Sequence, residues 1–228
     1  MLFRSLYDLL DPKKTPRVPK EIRQRAAQRA ADESVLASFL HATILNHQQL
    51  SEAVSFHLAG KLSSETLPAM QLREIMQEAM AVEPGILQAI CADMRAVLER
   101  DPAVKCCLVP LLFLKGIHAL AAWRMASWLW RQGRELMALY LQNRISEKFG
   151  VDIHPAARIG RGILMDHATS IVIGETAVIE DDVSLLHEVT LGGTGKATGD
   201  RHPKVRRGVL IGAGAKILGN VEIGAGAK

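Results

Sequence analysis

A six-residue rhythm in the C-terminal third constrains this chain more than any other feature. Aliphatic residues stand two apart, and the pairs recur every six residues: Ile171/Ile173, Ala177/Ile179, Val183/Leu185 and Val189/Leu191, then Val209/Ile211, Ala215/Ile217 and Val221/Ile223. Glycine follows four of them at once, as Gly174, Gly192, Gly212 and Gly224. A helix repeats its apolar face about every 3.6 residues and a half-buried strand every two, so neither explains a period of six. Six residues do suffice for one short strand and a turn. Three such units close one triangular coil of a parallel β-helix, with aliphatics inside and glycines easing the corners.

The rhythm breaks once. From Leu191 to Ile211 is 20 residues where six would continue it, so about 14 residues, within roughly Gly193 to Gly208, are expected to leave the coil as a loop. Insertions in a solenoid map to one face, often the binding face. This one carries Lys196, Asp200, Arg201, His202, Lys204, Arg206 and Arg207.

The rest of the chain reads as helical. Residues 1–20 form a leader and linker: a weakly amphipathic start with no cleavage site, then three prolines and four basic residues from Asp11 to Lys20. Residues 21–148 form a helical domain suited to oligomerisation, and residues 149–228 the β-helix. The expected fold is therefore α+β, an N-terminal α-helical bundle before a C-terminal parallel β-helix. One helix carries Val35, Leu36, Phe39, Leu40, Thr43 and Ile44 on a single face, capped by Asp32 or Ser34. Others fit Leu50 to Lys61, Thr66 to Val82 and Ile86 to Arg100. Leu108 to Trp130 reads as one long apolar helix. Lys115, His118 and Arg124 lie inside it, which favours burial in a bundle or subunit contact over lipid.

Bulk composition narrows the partners. A net charge of +4, without a block of like charges, hints at anionic ligands and does not call for nucleic acid. Aromatics are only 4%, too few for a base-stacking surface. Cys91, Cys106 and Cys107 form no zinc spacing, and their odd count fits reduced thiols in a cytoplasm.

Three clusters could carry chemistry: Asp152 with His154, Asp166-His-Ala-Thr169, and Asp200-Arg-His-Pro203. Histidine with a carboxylate partner is the usual general base near neutral pH. A coil of about 18 residues puts Asp152 and His167, 15 apart, on neighbouring coils, so contact is possible. Asp166, adjacent in a strand-like segment, would point away from His167 and suits a substrate group better. His154, before a proline, looks structural, and His187 is a weaker candidate. Asp101, before Pro102, reads from spacing alone as a turn or capping aspartate. The histidines show no close metal-ligand pair, so no metal is expected. Gly192-Gly-Thr-Gly-Lys196 resembles a phosphate cradle but lacks the rest of a Walker motif and suits a phosphate-bearing cofactor tail.

Together the motifs are specific. Val151-Asp-Ile-His-Pro-Ala-Ala-Arg-Ile-Gly-Arg-Gly-Ile, Asp166-His-Ala-Thr, Ile173-Gly-Glu-Thr-Ala-Val-Ile, Val189-Thr-Leu-Gly-Gly-Thr-Gly-Lys and Gly199-Asp-Arg-His-Pro-Lys resemble bacterial serine O-acetyltransferases. So do Ser38-Phe-Leu-His-Ala-Thr-Ile-Leu-Asn-His, Lys61-Leu-Ser-Ser, Asp101-Pro-Ala-Val and Leu114-Lys-Gly-Ile-His-Ala-Leu, and the likeness runs from about Glu33 to the end. The resemblance implies a left-handed β-helix that moves acetyl from acetyl-CoA, a co-substrate, to the L-serine hydroxyl in cysteine biosynthesis. It implies His167 as general base with Asp152 as partner. Arg201 and His202 would take the serine carboxylate, and Asp101 and Asp166 its ammonium. Gly193, Thr194, Gly195, Lys196, Ala213, Gly214 and Lys228 would line the CoA channel. It also implies a trimer-based homo-oligomer, a hexamer, with sites between neighbouring β-helices, L-cysteine as feedback inhibitor, and a cytoplasmic location without membrane or nucleic acid.

Two departures matter. Ser170 stands where the family pattern has glycine. The sequence also stops at Lys228 within a coil, so the expected β-helix is truncated at its C-terminal end, and cysteine synthase is a partner only if a further tail is present. An acetyltransferase acting on a sugar or other hydroxyl is the alternative, disfavoured because a sugar gives Asp101 and Arg201 nothing to pair with. A β-helix metal hydratase and a non-catalytic scaffold stand further off.

Overall fold

The computed structural model describes residues 17–196 and 198–228. The expected leader helix and most of the linker lie outside them. Within the described part of the linker, Arg17 bridges to Gln49 and Lys20 already opens α1 (Lys20–Asp32). Then come α2 (Ser34–Leu40), a π-helical turn (His41–Leu45), α3 (Leu50–Leu62), α4 (Ala69–Val82), α5 (Gly85–Arg100), α6 (Leu108–Leu112), α7 (Lys115–Arg131) and α8 (Glu135–Phe149).

Three helical expectations need correction. Neither Asp32 nor Ser34 caps α2; Glu33 holds the cap position without a side-chain bond. The π-helical turn rotates the apolar stripe, leaving Val35 83% exposed while Leu40, Thr43 and Ile44 are buried. The expected long helix is two. α6 stops at Leu112, and the carbonyls of Leu111 and Leu112, which a continuous helix would have used, accept from ring nitrogens of His118 and His57 instead. The break lets α7 start afresh against the β-helix.

The β-helix has three parallel sheets: β1 (Val151–Ile153), β4 (Ile171–Ile173), β7 (Thr190–Gly192) and β10 (Lys216–Leu218); β2 (Arg158–Ile159), β5 (Val178–Ile179), β8 (Lys204–Val205) and β11 (Glu222–Ile223); β3 (Leu164–Met165), β6 (Ser184–Leu185) and β9 (Leu210–Ile211). The paired aliphatics fill the interior: Ile171, Ile173, Val183, Leu185, Val189 and Leu191 are all buried. Val221, in the coil nearest Lys228, is 45% exposed.

Strand register measures the coils. Val172 pairs with Thr190, a step of 18 residues, as does Lys204 with Glu222. Val151 pairs with Ile171, a step of 20, and Val178 with Lys204, a step of 26. The first coil therefore carries two extra residues and the second insertion eight, not 14. Lys204 and Val205 are strand residues of the second sheet rather than loop, with Val205 fully buried. The aliphatic rhythm hides this because Pro203 occupies the first position of the pair.

The two halves share one core. Asp93 of α5 and Arg124 of α7 form a buried pair at 2.7 Å. Asp93 also accepts from the Ile163 N–H, and Arg124 donates to the Gly160 carbonyl, so the pair ties two helices to a β-helix edge. Burial pushes the Asp93 carboxyl up to about 6, against the pull of Arg124 and the Ile163 N–H. Trp123 Nε1 donates to the His154 carbonyl, and Arg100 reaches the Asp182 carbonyl and Ser184 Oγ. Among the described residues no helix is long and apolar enough to cross a membrane.

Candidate active site

The coils stack their corners into edges, and the candidate residues sort onto two of them. Along one edge, where the chain passes from the third sheet to the first, stand His167, then His187, then Ala213 and Gly214. The Gly214 N–H donates to the His187 carbonyl at 3.0 Å, and the Glu188 N–H to the Thr169 carbonyl at 2.7 Å. Along the edge from the first sheet to the second stand His154, Glu175, Thr176, the loop with Arg201 and His202, and Gly219. A sheet about three residues wide, roughly 10 Å, separates the edges. A single chain therefore does not bring His202 to His167.

The two extra residues of the first coil make the His167 corner. Without them a three-residue turn would lead from Met165 into the next strand; with them the five residues Asp166–Ser170 bulge outward. The bulge needs left-handed backbone at three non-glycine residues: His167 at φ 55°, Ala168 at 60° and Ser170 at 59°. Each costs roughly 1–2 kcal/mol and must be held by its surroundings. The Ser170 N–H donates to the Gly150 carbonyl at 2.7 Å, and Ala168 is fully buried. From the helical side, Lys115 Nζ donates to Thr169 Oγ1 at 2.6 Å. Gly116 lies so close to Met165 and Ala168 that an added Cβ would overlap the Met165 carbonyl. The break before α7 and the Lys115-Gly116 pair thus brace this corner.

His167 stands out of the bulge with its side chain 76% exposed. The turn, not being a strand, brings the Asp166 carboxylate to 4.0 Å from His167 Nε2, so the expectation that Asp166 points away does not hold. Asp152 lies on the outer face of β1, paired alongside Val172. Its Oδ1 accepts from Gln142 Nε2 at 2.7 Å, and it makes no hydrogen bond to His167. Asp101 ends α5, and its Oδ1 accepts the Ala103 N–H at 2.8 Å, the turn role expected from spacing.

The His202 edge is wired throughout. Thr176 Oγ1 accepts the N–H groups of Arg201 and His202, so its own hydroxyl proton is free to go to His202 Nδ1 at 2.8 Å. The Thr176 N–H donates to the same nitrogen at 3.2 Å. Nδ1 is thus the acceptor, and the neutral ring carries its proton on Nε2. Burial and then Arg201 hold this imidazole below its ordinary value, which keeps it neutral. The ring fits against Gly174, where an added Cβ would overlap it. Arg201 pairs with Glu175 at 2.6 Å, and Lys204 with Asp200 at 2.5 Å. His154 is occupied structurally: Nδ1 accepts the Ala156 N–H and the ring meets Trp130 edge-on.

The expected CoA residues divide as well. Gly193, Thr194, Gly195 and Lys196 lie on the His202 edge, where Thr194 is the neighbour of Gly219, while Ala213 and Gly214 lie on the His167 edge. Lys228 is exposed at the end of the chain. Among the described residues no group of three or more His, Cys, Asp or Glu is placed to hold a metal. Sequence reasoning missed Lys115, Gly116, Thr176 and Glu175. Their motifs were visible, yet only the fold shows that Lys115 and Gly116 brace the His167 corner while Glu175 holds Arg201 and Thr176 holds His202.

The N-terminal serine acetyltransferase family model matches residues 18–122. A serine acetyltransferase of Escherichia coli K12 is 59% identical over 207 residues, 91% of this chain and 76% of that protein. The chain belongs to the serine acetyltransferase family. A serine acetyltransferase solved in complex with cysteine superposes with a TM-score of 0.89 at 58% identity, covering 91% of this chain and 86% of that one. Another, solved in complex with CoA, gives 0.86 at 56% identity over the same shares. In this member of the family the fold is an α-helical bundle followed by a left-handed parallel β-helix, as the resemblance implied.

Proposed function

We propose that this chain transfers the acetyl group of acetyl-CoA to the hydroxyl of L-serine, giving O-acetyl-L-serine and CoA. The observation that carries this reading is identity near 59% across both halves of the chain to a serine acetyltransferase. Serine's hydroxyl is a weak nucleophile until a base takes its proton during attack. His167, held out of the bulge and free of hydrogen bonds, is that base. Asp152 orients it through Oδ2, the oxygen that Gln142 leaves open. His202, with Nε2–H outward, and Arg201 bind the serine carboxylate, while Asp166 and Asp101 receive the ammonium. The glycine-rich turns at 193–196 and 213–214, with Lys228, line the CoA channel.

Since the two halves of this site lie on different edges, the His167 edge of one chain works with the His202 edge of a neighbour. This supports a trimer-based homo-oligomer. The helical domain, residues 21–148, serves as its assembly domain. An apolar cavity of about 500 Å³ lined by Phe39, Phe56 and Met70 on its surface supports that role, and assembly of trimers into a hexamer fits the same face. L-cysteine, sharing serine's carboxylate and ammonium, competes for the site. The reaction belongs to cysteine biosynthesis in the cytoplasm.

The test is thiol release from acetyl-CoA with L-serine, homoserine and a galactoside in parallel. Release is expected with L-serine above the other two. Equal or greater release with the galactoside would move the reading to a sugar acetyltransferase, and none with any acceptor would end it.

A further inference from the structure

His167 is the central residue of a three-residue turn, closed by the Ala168 N–H on the Asp166 carbonyl, with φ at 55°. Turns of this form are rare and strained, and such backbone persists only where its surroundings over-determine it. Two of the ties on this corner are main-chain bonds within the β-helix domain. The Ser170 N–H donates to the Gly150 carbonyl, and the Glu188 N–H to the Thr169 carbonyl. A third tie comes from the helical domain: Lys115 Nζ donates to Thr169 Oγ1 at 2.6 Å, a short charge-assisted bond. Thr169 is thus held by its carbonyl from the next coil and by its hydroxyl from α7. It follows His167 by two residues and Asp166 by three. Lys115 is itself fixed in place. It is the first residue of α7, and that start is set by the break at which His57 and His118 occupy the carbonyls of Leu112 and Leu111. Next to it, the tight approach of Gly116 to Met165 and Ala168 keeps the helix end against the corner.

We propose that Lys115 is a positioning residue for acetyl transfer: through Thr169 it fixes the turn that presents His167 and Asp166, so the helical domain takes part in catalysis as well as in assembly. The inference rests on the serine acetyltransferase reading. Lys115 touches neither substrate and moves no proton. Its ammonium holds one side of a strained turn whose other side is held by the next coil. With that bond gone, the remaining ties keep the corner folded but let its backbone relax from the left-handed geometry. The base then spends less time within reach of the serine hydroxyl, and a misplacement on the order of 1 Å is costly in rate. Asp166 rides on the same turn, so serine binding should loosen with it. The glycine-rich turns proposed for CoA lie on other coils and should be unaffected.

The experiment is a double-mutant cycle on the full chain. Lys115→Met removes the donor and keeps the stem, Thr169→Val removes the acceptor and keeps the shape, and the third enzyme carries both. Serine-dependent thiol release by the wild-type protein comes first; its absence would fall on the parent reading alone. Each single variant is expected to lose about tenfold to a hundredfold in kcat. The serine KM should rise about threefold to tenfold while the acetyl-CoA KM stays within about twofold. The double variant should be no worse than the poorer single one, since both changes break the same bond. A bond that serves stability alone would lower kcat through loss of folded protein and leave both KM values in place; that result overturns the proposal. So do single variants within about twofold of wild type, and a double variant whose loss is the product of the two. Should either single variant not fold, Lys115→Arg and Thr169→Ser, which keep a donor and an acceptor, carry the test. Each should hold kcat and the serine KM within about threefold, and a tenfold loss in either one, folded, overturns the proposal equally.

Discussion

The two edges of the β-helix hold their histidines in opposite ways. His202 is buried, fixed by Thr176 from two directions, and flanked by Arg201 bonded to Glu175 and Lys204 bonded to Asp200. His167 is exposed, makes no hydrogen bond among the described residues, and stands on a bulge of left-handed residues. One arrangement suits recognition, since a preset donor loses little freedom on binding. The other suits proton transfer, since the ring must meet different partners before and after the reaction. The strain at His167 is held from outside by α7 and Lys115, whereas the order at His202 comes from the neighbouring coil, through Thr176 and Glu175.

The largest effect expected of this contrast is at His167. His167→Ala should lower kcat about 10²- to 10⁴-fold. The thermal midpoint should not move, since the exposed ring packs on little; a large loss of stability would show that the ring serves structure. At the other edge the order reverses. Gly174→Ala sets a methyl into the His202 ring and should cost about 1–3 kcal/mol of stability. It should also raise the serine KM more than it lowers kcat, as steady-state kinetics and melting of one preparation would show. An unchanged serine KM would remove His202 from substrate binding.

Acid probes the buried imidazoles. Burial holds His202 below its ordinary value, and in the helical domain it holds His57 to about 4 and His118 to about 3. The unfolded chain takes up these protons near pH 6.5, before the folded chain does. Stability is therefore full above about pH 6.5 and falls as pH drops toward 4, on the order of 1–2 kcal/mol per histidine for His57 and His118 by pH 5. Melting curves from pH 7.5 to 5 should show the decline, and His118→Gln should flatten it. A flat profile in the wild type would mean that these rings are less buried than described. The smallest effect is at Ser170. Ser170→Gly relieves one left-handed residue and should stabilise by about 1 kcal/mol or less with kcat unchanged. If kcat falls instead, the stiffness of the bulge is part of catalysis.

The repeat made the β-helix legible because each interior pair is a direct imprint of one strand. It failed where an interior position is not aliphatic: Pro203 masked a strand and made an eight-residue insertion read as 14. The bulge at His167 escaped because its two extra residues precede the first pair in the count, between Met165 and Ile171. Motifs named the candidate residues in three separate clusters, but linear spacing could not show that those of His167 and His202 stand on different edges of the β-helix. In the helices, the break at Phe113 was hidden because an apolar run is equally compatible with one helix or two. Only the carbonyls that His57 and His118 occupy reveal why the run divides.

The two-residue lengthening of the first coil has one more consequence. The strands on either side of it remain in register, with Asp152 opposite Val172 and Leu164 opposite Ser184. A coiled scaffold of this kind absorbs an added turn at a corner as text absorbs a footnote: the lines above and below keep their alignment. Such a fold can acquire or alter a reactive corner by small insertions while its stacking remains unedited, and the reactive corner can be exchanged independently of the recognition corner on the next edge.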